Sequence, residues 1–170
     1  DLIIGNLVSE GLIDSPRQLA SINISDDLYC CVETIRQKSL RKRILELISG
    51  RESIRLTNLA QKRGAVRKTV KQKSIQFQAS VIHKAVTHLD CTAVTYCSTG
   101  GVHAASLTSR EGKTLFLAED IGRHNAVDKV VGRVASQKGS FDDLFLSTTG
   151  RLSSDMIIKV ARIGIPVVVS

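Results

Sequence analysis

The chain has 170 residues, 42% of them hydrophobic, which fits one globular domain with at most a small satellite. Its 24 lysines and arginines exceed its 16 acidic residues, and the resulting net charge of +8 favours acidic partners such as phosphates and nucleotides. No apolar run approaches the roughly 20 residues that span a bilayer and no secretory leader pattern is seen, which excludes a membrane-spanning protein and predicts a soluble one.

The first part of the chain mixes helical and strand-like patterns. Apolar residues at helical spacing predict a helix over 1–13, and β-branched residues around an Asp-Asp turn predict strands or a hairpin over 22–36. A second helical pattern covers 38–48, and the basic, weakly periodic stretch 51–73 predicts a loop. We therefore predict an N-terminal subdomain over 1–75 that contains this basic loop.

The second part of the chain is more regular. The patterns predict, in chain order, a helix over 76–90, a strand over 92–99, a hairpin over 102–118, a helix over 123–134, a strand over 141–149, a helix over 155–163 and a strand over 165–170. Short strands joined by crossover helices pack stably when helices cover the sheet. We therefore predict an α/β core over 76–170 with a partly parallel sheet.

Three polar loops follow predicted strands, at 98–103, 119–125 and 148–155. Ligands of open α/β sheets collect at the carboxyl ends of strands. Glycines let the backbone approach a ligand closely, helix starts and hydroxyls donate to phosphate oxygens, and Arg123 and Arg151 add bidentate contacts. A single loop of this kind is often plain turn punctuation, but three at equivalent junctions predict one anion-binding pocket.

The candidate binding residues come from these loops and from the helix after Gly122. They are Thr99, Gly100, Gly101, His103, Glu119, Asp120, Gly122, Arg123, His124, Asn125, Asp128, Lys129, Gly150, Arg151 and Ser153. Because His124 and Asp128 are four residues apart on a helix, the carboxylate could fix the imidazole tautomer while Asn125 and Lys129 face the ligand. The alternative is an ordinary helix with surface ion pairs, in which Asp128 is only structural.

Four segments have an unusual composition: TGGVHAASL at 99–107, EDIGRHNAVDKVVG at 119–132, GRLSSDMIIKVARIGIPVVVS at 150–170, and DLIIGNLVSEGLI at the start. Together they resemble the formate dehydrogenase accessory protein family, FdhD/NarQ. The resemblance implies a three-layer, cytidine deaminase-like α/β sandwich with a mixed sheet, and a homodimer. It also implies transfer of sulfur from a cysteine desulfurase to the molybdenum bis(guanine dinucleotide) cofactor of formate dehydrogenase.

These implications identify the expected ligand and partners. The ligand is the molybdenum cofactor or a guanine nucleotide, and the partners are a cysteine desulfurase and formate dehydrogenase. Nucleic acid is disfavoured, because aromatic residues are only 4% and Trp is absent, which leaves few platforms for stacking bases. The resemblance does not extend to zinc deamination, which needs a Glu close after the histidine and a P-C-x-x-C pair, whereas Asn125 and Ala126 follow His124 and LSSD stands at 152–155. We predict no zinc and no deaminase activity.

The cysteines limit the predicted chemistry. The family's C-x-x-C relay motif falls by position near 59–68, where this chain reads LAQKRGAVRK, and persulfide transfer requires a thiolate. No C-x-x-C pair occurs in the chain, and its cysteines form no framework, which predicts a reducing cytoplasm. Cys97, two residues before Thr99, is the best-placed substitute, while Cys30, Cys31 and Cys91 read as small buried core residues. The catalytic residues stay unassigned, and the alternative function is a non-catalytic carrier of the cofactor or of a guanine nucleotide.

Overall fold

The computed structural model describes residues 1–25, 29–35, 43–46, 55–56 and 75–170. Its helices and strands are α1 (Leu2–Ser9), β1 (Leu19–Ile24), β2 (Tyr29–Thr34), β3 (Arg43–Glu46), β4 (Arg55–Leu56), α2 (Ala79–Thr92), α3 (Val94–Thr99), β5 (His103–Ser109), β6 (Thr114–Asp120), α4 (Arg123–Ser136), β7 (Leu144–Thr148), α5 (Ser154–Ile163) and β8 (Val167–Val169). They form two four-stranded sheets and the helices around them.

The first sheet is antiparallel, with strand order β1-β2-β3-β4. The antiparallel pair of β1 and β2 confirms the strands predicted over 22–36. The helix predicted over 38–48 is wrong at Arg43–Glu46, which pairs as a strand with β2. Short apolar runs fit both helical and strand periods, and pairing with a neighbouring strand decides between them. Most of the loop predicted over 51–73 lies outside the described residues, but Arg55–Leu56 pairs with β3.

The second sheet is mixed, with strand order β6-β5-β7-β8. β5 runs antiparallel to both β6 and β7, whereas β7 and β8 are parallel and are joined by α5. Alternate residues of β5 face opposite sides: Ala105 and Leu107 pack in the cluster formed with α4, and Ala104 packs against Leu89 of α2. A mixed α/β fold with helices against a partly parallel sheet is confirmed.

The segment between α2 and β5 is helical, so the strand predicted over 92–99 is wrong. Ala93 ends α2, and α3 follows immediately. The β-branched residues of TAVTYCST favour a strand locally. That preference is overridden because the Glu119 carboxylate accepts hydrogen bonds from the backbone amides of Thr95 (3.2 Å) and Tyr96 (2.6 Å), at the start of the helix.

Helix α1 packs against α4 with the two backbones in direct contact. A Cβ atom on Gly5 would lie 1.7 Å from the carbonyl oxygen of Asp128, and one on Gly132 would lie 2.0 Å from the carbonyl oxygen of Asp1. The helix predicted over 1–13 is confirmed but is shorter, ending at Ser9. This crossing brings polar residues of α1 to the middle of α4. The division of the chain near residue 75 stays a prediction.

The core lies between α4, α5 and the mixed sheet. Its fully buried members include Val127 and Val131 of α4, Leu146 of β7 and Met156 of α5. None of the helices in the described ranges is both long and apolar enough to cross a membrane.

Candidate functional site

The three predicted loops meet at one end of the mixed sheet. β5 begins where β6 and β7 end, and His103 is paired with Asp120 across the β5–β6 ladder. The Ala104 amide donates to Thr149 Oγ1 (2.9 Å), and Thr148 Oγ1 donates to the Ala104 carbonyl (3.1 Å), which ties the loop after β7 to the start of β5. The segments around residues 100, 121 and 150 therefore lie side by side, as the sequence predicts.

Gly150 allows the loop after β7 to lie directly on the first turn of α4. It is buried, and a Cβ atom there would lie 2.6 Å from Cβ of Arg123. Real Cβ atoms essentially never come so close, so any other residue would displace Arg123. The contact joins the loop that leads into α5 to the start of α4, and Asp155 in the first turn of α5 acts electrostatically on His124 in the first turn of α4.

Both helix starts leave backbone amides available. The residues that precede the helices, Gly122 for α4 and Ser153 for α5, make no side-chain capping hydrogen bond. The first amides of a helix have no partner within the helix and carry its partial positive charge. Two adjacent starts of this kind form an arrangement suited to an anion.

Several buried polar atoms at these helix starts and at the start of β5 have no hydrogen-bond partner. Nine such side-chain atoms occur among the described residues, and five of them belong to predicted site residues: His103 Nδ1, Arg123 Nε, His124 Nε2, Asn125 Oδ1 and Ser153 Oγ. Buried polar atoms are normally paired, because leaving one unpaired costs about 1 to 3 kcal/mol. Their concentration at one place points to a ligand or ordered water that completes them.

Burial and nearby cations lower the pKa of both histidines of the site. Burial lowers the pKa of His103, and the nearby guanidinium groups of Arg123 and Arg151 lower it further. Burial also lowers the pKa of His124, with Lys159 as the strongest neighbouring cation. Both imidazoles are therefore neutral at neutral pH, and the positive charge offered to a ligand comes from the arginines.

The acidic residues of the EDIGRHN segment have partners inside the protein. Glu119 caps α3, and burial, which would raise its pKa, is outweighed by the hydrogen bonds from Tyr96 and Thr95, so the pKa is lowered. Asp120 is also desolvated, but its contact with Lys129 (2.6 Å) and the Gly122 amide (2.9 Å) lower its pKa. These carboxylates hold the junction between β6 and α4.

Two more candidates are tied into the same junction. Lys129 also donates to the backbone carbonyl of Glu119 (2.9 Å), and the amide group of Asn125 donates to Asp120 (3.2 Å). The Asn125 side-chain oxygen is left without a partner. Among Glu119, Asp120, Asn125 and Lys129, Asn125 is therefore the residue with a buried side-chain atom left for a ligand.

The loop before β5 is open on its outer side. Gly100 ends α3 in the left-handed conformation (φ 61°), and a Cβ atom there would meet nothing within 4 Å. Thr99 Oγ1 accepts from the Gly101 amide (3.0 Å), and a Cβ atom on Gly101 would meet only Thr99, at 3.5 Å. Space for a ligand is therefore present beside this loop.

Asp128 has a different environment from the one predicted. It is fully buried and accepts hydrogen bonds from Asn6 Nδ2 (3.0 Å), Ser9 Oγ (2.7 Å) and Lys159 Nζ (2.9 and 3.0 Å). Among the described hydrogen bonds of Asp128, none reaches His124, so the predicted role in fixing the imidazole tautomer is not seen. The structural alternative for Asp128 fits this environment.

The sequence reasoning missed the partners of Asp128. Lys159 occupies the apolar face of α5, three residues after Met156 and four before Ile163, which is a signal for a buried cation in need of a carboxylate. Asn6 lies between apolar residues of α1 in the same way. Nothing in a single sequence joins these positions to Asp128.

The cysteines are placed as follows. Cys97 is exposed, and its thiol donates to the backbone carbonyl of Asp90 near the end of α2. Cys30 is buried, as predicted, but Cys31 is only partly buried and Cys91 is exposed, so the prediction of a core position is wrong for Cys91. Cys91 lies at the solvent-facing end of α2, away from the apolar positions Ala85 and Leu89. The segment 59–68 lies outside the described residues, and within the described ones no three His, Cys, Asp or Glu side chains are grouped to hold a metal ion.

The similarity to known proteins extends over the whole chain. The sequence model of the FdhD/NarQ family matches residues 1–170. The chain is 30% identical to a sulfur carrier protein FdhD of Listeria monocytogenes and 32% identical to those of Shouchella clausii and Bacillus subtilis, covering 100% of this chain in each case. It covers 66%, 65% and 65% of those proteins, so the chain spans about two thirds of the length of the curated relatives it matches.

A solved structure has the same fold. The crystal structure of a protein proposed to be a formate dehydrogenase accessory protein from Desulfotalea psychrophila aligns with a TM-score of 0.64 at 24% identity. The alignment covers 98% of this chain and 59% of that one.

Proposed function

The chain belongs to the FdhD/NarQ family, and we propose that it is a formate dehydrogenase accessory protein whose three loops hold the guanine-nucleotide end of the molybdenum bis(guanine dinucleotide) cofactor. The cofactor is cargo rather than a resident group. The observation that carries the proposal is the set of five unpaired buried polar atoms, four at the starts of α4 and α5 and one, His103 Nδ1, at the start of β5. Adjacent helix starts, Arg123 and Arg151 supply donors and positive charge for phosphate oxygens.

The same atoms suit a nucleotide better than inorganic phosphate alone. Asn125 Oδ1 is an acceptor, and neutral imidazoles can donate or accept, so the site offers acceptors as well as donors. A phosphate group needs only donors, whereas a guanine base presents both N–H groups and a carbonyl. We therefore propose that phosphate oxygens bind Arg123 and the first amides of the helices, and that the base reaches Asn125 Oδ1 and the imidazoles from the open side of the loop of Gly100 and Gly101.

Calorimetric titration with guanosine diphosphate tests this site. We expect the wild-type protein to bind and Arg123→Ala to lose affinity on the order of 10- to 100-fold, because hydrogen bonds to charged groups contribute about 1.5 to 3 kcal/mol. Arg110→Ala is the matched control: Arg110 is exposed in the turn at the opposite end of β5, where it donates to the Gln76 carbonyl. The proposal is wrong if the wild type does not bind, or if the two variants lose affinity equally, which would indicate attraction by net charge alone.

We further propose that sulfur passes through the protein, as the names of its relatives suggest. In such a step a thiolate attacks the outer sulfur of a desulfurase persulfide; the donor S–S bond breaks, a new S–S bond forms, and the donor cysteine leaves as a thiolate. A non-catalytic carrier is the second candidate. It is favoured by the absence of a C-x-x-C pair from the sequence and by the hydrogen bond of the Cys97 thiol to Asp90.

Labelled sulfur distinguishes the two candidates. After incubation with a cysteine desulfurase and labelled cysteine, a relay protein carries label that is released by a reductant, and Cys97→Ser abolishes that label if Cys97 is the acceptor. Cys91→Ser is the matched control, since Cys91 is also exposed and lies near the end of α2. If no protein-bound label forms while guanosine diphosphate still binds, the carrier function holds and the relay fails.

The wider family features are part of the same proposal. We propose a three-layer, cytidine deaminase-like arrangement, supported by helices on both faces of the mixed sheet. We also propose a homodimer in the cytoplasm that acts with a cysteine desulfurase and formate dehydrogenase. Sedimentation of the purified protein and its copurification with each enzyme are the corresponding measurements.

A further inference from the structure

A buried ion pair lies one helical turn beyond the ligand site. Asp128 is fully buried, the Lys159 side chain is 4% exposed, and the two are joined by contacts of 2.9 and 3.0 Å. The same ammonium group lies 3.2 Å from Glu10, and the same carboxylate binds Asn6 and Ser9 of α1. One carboxylate on α4 therefore connects α1, α4 and α5.

The position of this pair is set at the level of the backbone. Gly5 is in contact with the carbonyl of Asp128, so α1 cannot slide along α4 without a clash. Lys159 lies on the second turn of α5, and Asp128 on the second turn of α4. Their contact therefore fixes the second turns of the two helices whose first turns form the proposed anion site.

The charges around His124 come from both helices. Because His124 and Asp128 are four residues apart on α4, the Lys159 ammonium lies on the same helix face as the imidazole. The charged groups that act on this ring are Arg123 and Asp128 from α4, and Asp155 and Lys159 from α5; α1 adds Glu10 through its contact with Lys159. Lys159 and Asp128 act on it with opposite signs.

We infer that Asp128 and Lys159 are positioning residues of the ligand site: together they fix the spacing of the two helix starts, and they place their two opposite charges beside the His124 imidazole. The ring then meets the ligand as a hydrogen-bonding group, while Arg123 supplies the charge. The role of the pair in ligand binding rests on the proposed function, but its effect on His124 can be measured without any ligand.

Nuclear magnetic resonance titration of the histidine rings tests the inference, since the chain has only four histidines. In Lys159→Met, the cation is lost and Asp128 and Asp155 remain, so we expect the His124 midpoint to rise. In Asp128→Asn, the cation remains without its carboxylate, so we expect the midpoint to fall below that of the wild type. Lys159→Arg keeps the charge and should restore the wild-type midpoint.

Opposite shifts separate this role from ordinary packing. If the pair were merely structural, both variants would loosen the site and both would move His124 upward, toward the ordinary value of a hydrated histidine. Arg162→Met is the matched control, because Arg162 is another α5 cation bound to Glu10 but does not act on His124. Shifts in the same direction, no shifts, or an equal shift in Arg162→Met would overturn the inference.

Two results, a variant that does not fold and a wild type that does not bind the nucleotide, are interpreted as follows. If Lys159→Met does not fold, Asp128→Asn decides alone, because exposure of the ring cannot lower its midpoint. If the wild type fails to bind guanosine diphosphate while the opposite shifts occur, the proposed function falls and the control of His124 by the ion pair remains. Unchanged midpoints together with intact nucleotide binding would remove only the inference.

Discussion

Gly132→Ala is expected to lower the free energy of unfolding by about 3 kcal/mol, the upper part of the range for overpacked sites. A methyl group there would lie 2.0 Å from the Asp1 carbonyl oxygen, and this neighbour is backbone rather than a flexible side chain. Alanine is favoured over glycine within a helix by about 1 kcal/mol, so local propensity alone predicts the opposite sign. Denaturant unfolding followed by circular dichroism measures the difference.

Two further glycine variants complete this test. Gly5→Ala meets the same crossing from α1, with a Cβ atom 1.7 Å from the Asp128 carbonyl oxygen, and its effect should not add fully to that of Gly132→Ala. Gly164→Ala is the control: a Cβ atom there meets nothing within 4 Å, and the left-handed backbone (φ 84°) should cost about 1 kcal/mol. A Gly132→Ala protein as stable as Gly164→Ala would contradict direct contact between α1 and α4.

The parts of the fold that the sequence predicts well are those whose pattern is long and local. The β5–β6 hairpin, α2, α4 and α5 all have clear periodicity, and the structure has them where that periodicity indicates. The meeting of the three loops follows from strand order, because β5 starts where its two neighbours end. The meeting of the three loops could therefore be predicted from the sequence alone.

The failures are short segments whose conformation is decided by distant partners. Val94–Thr99 has strand-forming residues, but Glu119, more than 20 positions later, accepts its first amides and makes it a helix. Arg43–Glu46 belongs to a helical pattern but pairs with β2. A local pattern of four to six residues contains too few repeats to outweigh one such partner.

The buried polar cluster could not be derived for a related reason. Asn6, Ser9 and Lys159 are 122, 119 and 31 residues from Asp128, so no helical or strand spacing relates them. Each residue alone is an exception to an apolar pattern. The structure explains the exceptions together, since one buried carboxylate needs several donors at once.

The second large effect on stability is expected from a variant in this buried polar cluster. Lys159→Met should lower the free energy of unfolding by about 3 to 5 kcal/mol, because it leaves the fully buried Asp128 carboxylate with only two neutral donors, Asn6 and Ser9. Domains of this kind have about 5 to 15 kcal/mol in all, so the variant should still fold at low temperature. Asp128→Leu should cost less, because Lys159 keeps Glu10 at 3.2 Å.

The double variant Asp128→Leu/Lys159→Met separates the charge from the packing. Replacing both partners of a buried pair by apolar residues is often neutral, so we expect the double variant to be more stable than Lys159→Met alone. Arg133→Met is the control, since Arg133 pairs with Asp1 at 3.1 Å but is 55% exposed, and its loss should cost less than about 1 kcal/mol. If the single losses simply add in the double variant, the two side chains are not coupled. If the double variant instead loses less stability than the sum of the two single losses, Asp128 and Lys159 stabilise each other, and this pair helps to hold α4 and α5 together without any ligand.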